Sequence, residues 1–362
     1  MEEQWIRRST KKLIRRIQRA ANRETSKTPE QLSIEAAQWN TLGYIHNAVA
    51  CHIQRVNLYH LQADKVNEGY ALAQLGRGYD MLGDIDEAIE ACERSLMRAR
   101  EIENGHIEGR ALAALGTAYG HLGYAQKSLM YGEQALQIGR EIANETGERD
   151  TELAALECLG SAHMWLGEIE KALESYNQGL DIACELGNTH EAGVLMEDLG
   201  CAYVAIGDIA RALDCYNQGM SLFNSIDALY SNGRVFAHVG NAHTLSGRLV
   251  EAENALAQAR KVFDEVHMYR GYTLLAFYMA NLYRQQRRLD DAQKSYQRAI
   301  TLFDDAQDRY GQAQCLLEYA RLLREREQEP KALKIAQSAQ KIYRERGTEG
   351  QVERVQKWIE GE

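Results

Sequence analysis

Two consecutive stretches of forty residues share one pattern and decide the fold. Residues 151–190 read TELAALECLGSAHMWLGEIEKALESYNQGLDIACELGNTH, and residues 191–230 read EAGVLMEDLGCAYVAIGDIARALDCYNQGMSLFNSIDALY. Each stretch carries a Leu-Gly pair that ends at Gly160 or Gly200, followed by a turn and a second apolar segment with helical spacing. A period in this range, with a helix-turn-helix pattern in each copy, indicates a solenoid.

The Leu-Gly position recurs along most of the chain. Its spacing is 40 residues, with one interval of 44, and it is occupied by Gly76, Gly116, Gly160, Gly200, Gly240, Ala280 and Ala320. Small residues recur twelve positions later at Ala88, Ser128, Ala172, Ala212, Ala252, Ala292 and Ala332. A large side chain at such sites would overpack a helix contact, so these columns predict closely packed helix pairs.

The turns within the copies also repeat. Glycine stands seven positions after the Leu-Gly column at Gly83, Gly123, Gly167, Gly207 and Gly247, where it can end a helix in the left-handed conformation. The chain has two prolines, Pro29 and Pro330, and each stands where a helix is predicted to begin. The predicted fold class is therefore all-α, a right-handed α-α superhelix.

The columns together resemble the tetratricopeptide repeat (TPR). The first helix carries a large residue, Leu-Gly and an aromatic residue, and the second carries small residues and an aromatic such as Tyr176, Tyr216 or Tyr296. The 40-residue period resembles the long-repeat subclass, which includes the GoLoco-binding polarity adaptors and is related to the bacterial Rap phosphatases and MalT-like sensor domains. The resemblance covers roughly residues 67–350 and implies a binding surface on the concave side.

The pattern predicts four parts of the chain. Residues 1–28 form a basic N-terminal helix and linker, residues 29–66 are either a degenerate TPR or an N-terminal helical cap, and residues 351–362 form a C-terminal capping helix. Seven repeats lie between them, at 67–106, 107–150, 151–190, 191–230, 231–270, 271–310 and 311–350.

The N-terminal segment differs from the rest in charge. Residues 1–23 hold eight Lys or Arg and two Glu, a net charge of +6, whereas the whole chain carries −10. A basic amphipathic helix can bind anionic lipid, nucleic acid or an acidic protein surface. The charge difference favours a helix that docks on the acidic array or forms a homo-oligomer, and no nucleic acid is expected.

Composition bears on the location of the protein. The chain has no run of 18 apolar residues that could span a membrane, and its N-terminus lacks the apolar core of a secretory signal. Its seven cysteines form no CxxC pair, so we predict reduced, mostly buried thiols and a cytoplasmic location.

Motifs for catalysis are absent from the sequence. The chain has no HExxH, GxSxG or Walker sequence, and no strand pattern that would carry a GxGxxG loop. His163 and His243 occupy the aromatic column of the first helix, where a packing role is favoured over metal binding. We therefore expect no enzyme activity, no cofactor and no metal site.

The resemblance places candidate binding residues on the concave face of the first helices. They are Arg77, Arg110, His121, Glu157, Trp165, Glu197, Arg234, Asn241, Asn281, Arg284, Arg321 and Arg324. We expect the acidic portion of a partner segment to contact the four arginines from Arg234 onward. Its basic or apolar portion would contact Glu157, Glu197 and an exposed Trp165, and the two asparagines would bind its backbone.

Three functions fit these expectations. The first is an adaptor or scaffold in signalling that binds a peptide or helical segment of a partner protein in the concave groove. The second is a Rap-like regulator whose affinity for a signalling protein responds to a peptide in the groove. The third is a structural protein that assembles with itself.

Overall fold

The computed structural model describes residues 26–361, and over this range the chain folds into seventeen α-helices without a strand. They are α1 (Pro29–Thr41), α2 (Ile45–Leu61), α3 (Lys65–Leu82), α4 (Ile85–Glu101), α5 (Gly105–His121), α6 (Ala125–Thr146), α7 (Asp150–Leu166), α8 (Ile169–Glu185), α9 (Thr189–Ala205), α10 (Ile209–Ser225), α11 (Leu229–Leu245), α12 (Leu249–Val266), α13 (Tyr269–Gln285), α14 (Leu289–Asp305), α15 (Arg309–Glu325), α16 (Glu329–Glu345) and α17 (Glu349–Glu360).

The helices begin and end where local chemistry places their termini. Thr28 and Gln31 form a capping box ahead of α1, with Pro29 at its first turn. Asn104 and Asn188 accept a hydrogen bond from the third amide of the helix that follows, and so satisfy a donor that has no partner within the helix. Gly167 closes α7 with a φ of 81°, a left-handed conformation that glycine adopts without the steric cost of a Cβ.

The Leu-Gly column marks the closest approach within each helix pair. Gly160 on α7 faces the ring of Tyr176 on α8, and Gly200 on α9 faces the ring of Tyr216 on α10 in the same way. A methyl group at either glycine would collide with the tyrosine ring. The two glycines therefore occupy equivalent places, and the predicted all-α TPR-type solenoid is confirmed.

The small-residue column twelve positions later is fully buried. Its seven members, Ala88, Ser128, Ala172, Ala212, Ala252, Ala292 and Ala332, all have no exposed surface. Burial on this column repeats in every copy, and the buried apolar residues of the described chain form several clusters along the array rather than one centre.

The predicted division into parts remains a prediction. Residues 29–66 contain the helix pair α1 and α2, and α17 follows the last helix pair of the array. The limits of the seven repeats also remain predictions. The predicted basic helix at residues 1–23 lies outside the described residues.

The superhelix also closes on itself. Helix α3 contacts α13, α5 contacts α15 and α7 contacts α17, so successive superhelical turns touch. Arg270 on α13 donates to the carbonyl oxygen of Asp80 on α3 at 2.7 Å, and the guanidinium of Arg346 lies 4.3 Å from the ring centre of Tyr124. These contacts convert an open groove into a partly enclosed space.

Candidate functional site: a polar cavity inside the superhelix

A cavity of about 340 Å³ lies between the two superhelical turns. Most of its wall comes from α3, α9, α11 and α13, the first helices of their pairs. Its lining residues are Asp80, Met81, His121, Glu197, Asp198, Cys201, Tyr230, Arg234, His238, Arg270, Thr273, Leu274, Phe303, Ala306 and Asp308. Ionisable side chains dominate this wall, so their pairing decides what the cavity can bind.

Asp80 joins the two turns at one side of the cavity. His121 Nδ1 lies 2.7 Å from its Oδ1, and Arg270 Nη1 lies 3.5 Å from its Oδ2. Burial by itself raises the pKa of Asp80, but His121 and Arg270 outweigh it and hold that pKa below its usual range. Trp165 packs edge-on against the His121 ring, with 5.4 Å between ring centres.

Glu197 forms the most buried ion pair of the site, since only 2% of its surface is exposed. Arg234 donates two hydrogen bonds to its carboxylate, from Nε to Oε1 at 3.0 Å and from Nη2 to Oε2 at 2.6 Å. His238 Nε2 lies 3.2 Å from Oε1. Burial raises the pKa of Glu197, but Arg234 and His238 overcome this and lower it to about 2.

Two other carboxyl groups have no such partners. Within residues 26–361, neither Glu157 nor Asp198 forms a hydrogen bond or an ion pair through its carboxyl group. Burial, together with Glu191, raises the pKa of Glu157 to about 7, although Arg77 and Arg234 oppose the rise. Burial and the nearby carboxylates of Glu197 and Glu157 raise the pKa of Asp198 well above its usual range.

One guanidinium is also without a partner in the described part of the chain. Arg110 makes no hydrogen bond or ion pair, and burial together with the charge of Arg77 lowers its pKa. Arg77 itself donates to Glu191 Oε1 at 3.1 Å. Within residues 26–361, the concave face therefore holds ionisable groups without partners, among them Arg110, Glu157 and Asp198, beside several closed ion pairs.

The structure brings half of the predicted binding residues together. His121, Glu197 and Arg234 line the cavity. Arg77 and Glu157 lie nearby, since Arg77 and Arg234 both lower the pKa of Glu157. Glu197 and Arg234, which were expected to contact opposite portions of a partner, instead pair with each other. Trp165 is half-buried rather than exposed, because its ring occupies the space above Gly120, where any Cβ would collide with it.

Five other predicted residues are engaged within the array. Asn281 Nδ2 donates to Asn241 Oδ1 at 3.2 Å, and Asn281 accepts from the hydroxyl of Tyr296 at 2.7 Å. Arg284 and Arg321 both bind Glu318, and Arg324 binds Glu329 and lies 3.7 Å from the ring centre of Trp358. An acidic partner would have to displace these carboxylates before it could reach the arginines.

Sequence reasoning missed several residues of the cavity. Asp198 and His238 each stand two positions before a glycine of the Leu-Gly column, so the repeat alignment could have placed both on the inner face. Arg270 reaches the cavity only because superhelical turns touch, and the repeat pattern gave no signal for that contact.

Fold and cavity define a class: a solenoid of helix pairs with charged groups enclosed on its concave side. The tetratricopeptide repeat family model matches residues 151–225 and 272–345. The match covers less than half of the chain and identifies TPR repeats within residues 151–225 and 272–345. No curated protein matches it in sequence.

Several solved structures share this architecture. A Rap protein complexed with competence and sporulation factor superposes with a TM-score of 0.65 at 14% identity, over 88% of this chain and 99% of that one. Aspartyl phosphate phosphatase F from Bacillus subtilis gives 0.58 at 12% identity, over 94% and 91% of the two chains. The apo form of RapI gives 0.54 at 14%, over 80% and 99%. The TM-scores show a common fold, and at identities this low the likeness concerns the fold alone.

Two further findings concern the described range. None of the helices between residues 26 and 361 is long and apolar enough to cross a membrane. No group of three or more His, Cys, Asp or Glu side chains in that range is arranged to hold a metal ion.

Proposed function

We propose that the chain is a protein-interaction scaffold that binds a segment of a partner protein in the central cavity. The observation that carries the proposal is the set of three ionisable groups on the concave side, Arg110, Glu157 and Asp198, that have no partner within residues 26–361. Buried charges are normally paired, so groups left without a partner favour a ligand that supplies one. The TPR architecture supports a protein ligand over a small metabolite.

The charges indicate which side chains the partner contributes. A lysine, an arginine or a free amino terminus would pair with Asp198 and Glu157, and an acidic group would pair with Arg110. Asp198 faces Glu197, Glu157, Arg234 and His238 and has a raised pKa, so binding a cation requires it to lose a proton. Affinity for a basic segment should therefore rise with pH, since fewer protons compete at high pH.

Substitution of Asp198 tests this proposal. We expect Asp198→Asn to weaken binding of a fluorescent arginine-containing peptide about tenfold, equivalent to ~1.4 kcal/mol, because the amide cannot neutralise the guanidinium. Fluorescence anisotropy at pH 8 would measure the affinity, with the same peptide carrying norleucine for arginine as the reference ligand. Asp214→Asn, an exposed aspartate on α10, is the matched control. Equal affinities of Asp198→Asn and the unsubstituted protein for the arginine peptide would overturn the assignment.

The contacts between superhelical turns favour a second candidate, a Rap-like regulator that responds to a peptide. The related Rap structure is complexed with competence and sporulation factor, and a ligand in this cavity would touch both α9 and α13. A peptide that bridges the turns should reduce the radius of gyration in small-angle X-ray scattering. An unchanged radius at saturating peptide favours the plain scaffold, because a ligand shifts a conformational equilibrium only by its difference in affinity for the two states.

A further inference from the structure

A thiol, an imidazole and a carboxylate lie next to one another, in that order, on one wall of the cavity. Cys201 Sγ is 3.6 Å from His238 Nδ1, and His238 Nε2 is 3.2 Å from Glu197 Oε1. Cys201 and Glu197 stand on α9 and His238 on α11, so adjacent repeats build the arrangement. A nucleophile beside a base that a third group orients is the geometry that activates thiols.

Two tyrosines fix the imidazole and the sulfur. The ring of Tyr216 stacks on that of His238 with 5.6 Å between centres and 20° between planes, and its hydroxyl donates to Cys201 Sγ at 3.5 Å. The hydroxyl of Tyr278 lies 3.0 Å from His238 Nδ1. A hydroxyl that donates to sulfur stabilises the thiolate. The stacked ring of Tyr216 holds the His238 ring in its place beside Cys201.

The charge on His238 supports the same role. Burial lowers the pKa of His238, yet the acidic groups around it, Cys201, Tyr278 and Glu197, raise that pKa well above its usual value. A histidine that readily holds a proton beside a sulfur favours the thiolate-imidazolium pair.

The other six cysteines lack this environment, and all of them lie in the described range. Burial raises the pKa of five of their thiols, those of Cys51, Cys92, Cys158, Cys215 and Cys315, and so opposes formation of their thiolates. Cys184 is exposed and has no histidine partner. Cys201 differs from them because it lines the cavity and contacts an imidazole.

We propose that Cys201 is a site of covalent modification by small α,β-unsaturated carbonyl compounds that enter the central cavity. Cys201 and His238 share one proton, and when that proton lies on His238 Nδ1 the sulfur forms a bond to the β-carbon of the acceptor. The electron pair of the carbon-carbon double bond moves to form the enolate, and the imidazolium returns its proton to the α-carbon. The addition needs no further reactant, because all atoms of thiol and acceptor remain in the product.

The surrounding groups shape the pH dependence of this reaction. The titratable and charged side chains that face Cys201 and His238 are Tyr176 on α8, Glu197 and Asp198 on α9, Tyr216 on α10, Arg234 on α11 and Tyr278 on α13. Glu197 orients His238 and stabilises its charged form, so it acts as a positioning residue. The adduct would occupy the space that Asp198 and Arg234 share with a bound peptide.

N-ethylmaleimide, itself an α,β-unsaturated carbonyl compound, is the probe for this site. We expect it to modify Cys201 about tenfold faster than the exposed Cys184, because His238 Nδ1 lies 3.6 Å from the Cys201 sulfur and can take up the thiol proton. The full chain would be treated for short times and each cysteine quantified by peptide mass spectrometry. Slower reaction at Cys201 than at Cys184 would overturn the proposal.

Two measurements distinguish activation of the Cys201 thiol by His238 from a difference in the access of N-ethylmaleimide to the two cysteines. Between pH 8 and pH 6 the rate at Cys201 should fall less steeply than the rate at Cys184, because a neighbouring imidazole takes up the thiol proton at Cys201 only. His238→Gln should slow Cys201 about tenfold and leave Cys184 unchanged. Parallel pH profiles of the two cysteines in the unsubstituted protein refute the proposal, and that comparison requires no variant to fold.

Discussion

Glu197→Gln is expected to lower the free energy of unfolding by about 3–5 kcal/mol at pH 7, the usual cost of breaking a buried ion pair. Glu197 is 2% exposed, and its carboxylate binds Arg234 through two bonds and His238 through one. The amide leaves Arg234, whose side chain is 29% exposed, without its buried counter-ion. Urea unfolding followed by circular dichroism would measure the loss, and hydrogen exchange would locate it in α9 and α11.

Glu318→Gln is the matched control for this variant. Glu318 also binds two arginines, Arg284 and Arg321, but its side chain is 22% exposed, so water can replace part of the lost interaction. We expect the control to lose about 1 kcal/mol or less, as for exposed ion pairs. Equal losses in the two variants would show that burial does not set the strength of the Glu197 cluster.

The effect at Glu197 should also depend on pH with a defined sign. The pKa of Glu197 is lowered to about 2 in the folded protein, so its stabilisation is fully present above the carboxyl pKa of the unfolded chain. The stabilisation is lost as pH falls through the folded pKa. The difference in stability between the unsubstituted protein and Glu197→Gln should therefore shrink on acidification, and a constant difference between pH 7 and pH 3 would contradict the assignment.

Glu157→Gln is expected to act in the opposite direction and to raise the free energy of unfolding by roughly 1–3 kcal/mol at pH 8. The folded protein raises the pKa of Glu157 from 4.5 to about 7, and within residues 26–361 the carboxyl has no ion-pair partner. Between these two values the folded state binds more protons than the unfolded state, so stability falls as pH rises. Glutamine cannot ionise and escapes that loss.

The gain should disappear at pH 4, where the carboxyl is protonated in the folded state and resembles an amide. Glu133→Gln, an exposed position on α6, serves as control and should change stability by less than about 0.5 kcal/mol at either pH. Thermal or urea unfolding at pH 4 and pH 8 would supply the four comparisons. A loss of stability at pH 8 would mean that Glu157 is paired in solution.

The repeat columns were sufficient to predict the fold because each column reports a contact made within one helix pair. Gly160 and Tyr176 lie sixteen residues apart, and the next repeat reproduces the pair at Gly200 and Tyr216. Regular spacing in the sequence therefore predicts which residues form such local contacts. Even the turns follow, since Gly167 adopts the left-handed conformation that its position predicts.

The cavity was only partly predictable, because its shape depends on how repeats stack. The small rotations at the interfaces between repeats add up along the array, and the sequence of one repeat does not reveal the total rotation. Asp80 meets Arg270 only after that accumulation, and Arg284 finds Glu318 on the next first helix rather than a ligand. The repeat pattern therefore predicts which residues lie on the first helices, but not the side chains that they contact across repeats.

Contact between superhelical turns has a consequence for biosynthesis. Arg270 follows Asp80 by 190 residues, so the ribosome must add that length of chain before the closing contact can form. Each helix pair can pack as soon as it emerges, because its contacts are local, whereas the charged interior stays open to water until α13 arrives. Closure is then a late, separate step, and chaperones or early ligands have access to Asp80 and His121 throughout the interval.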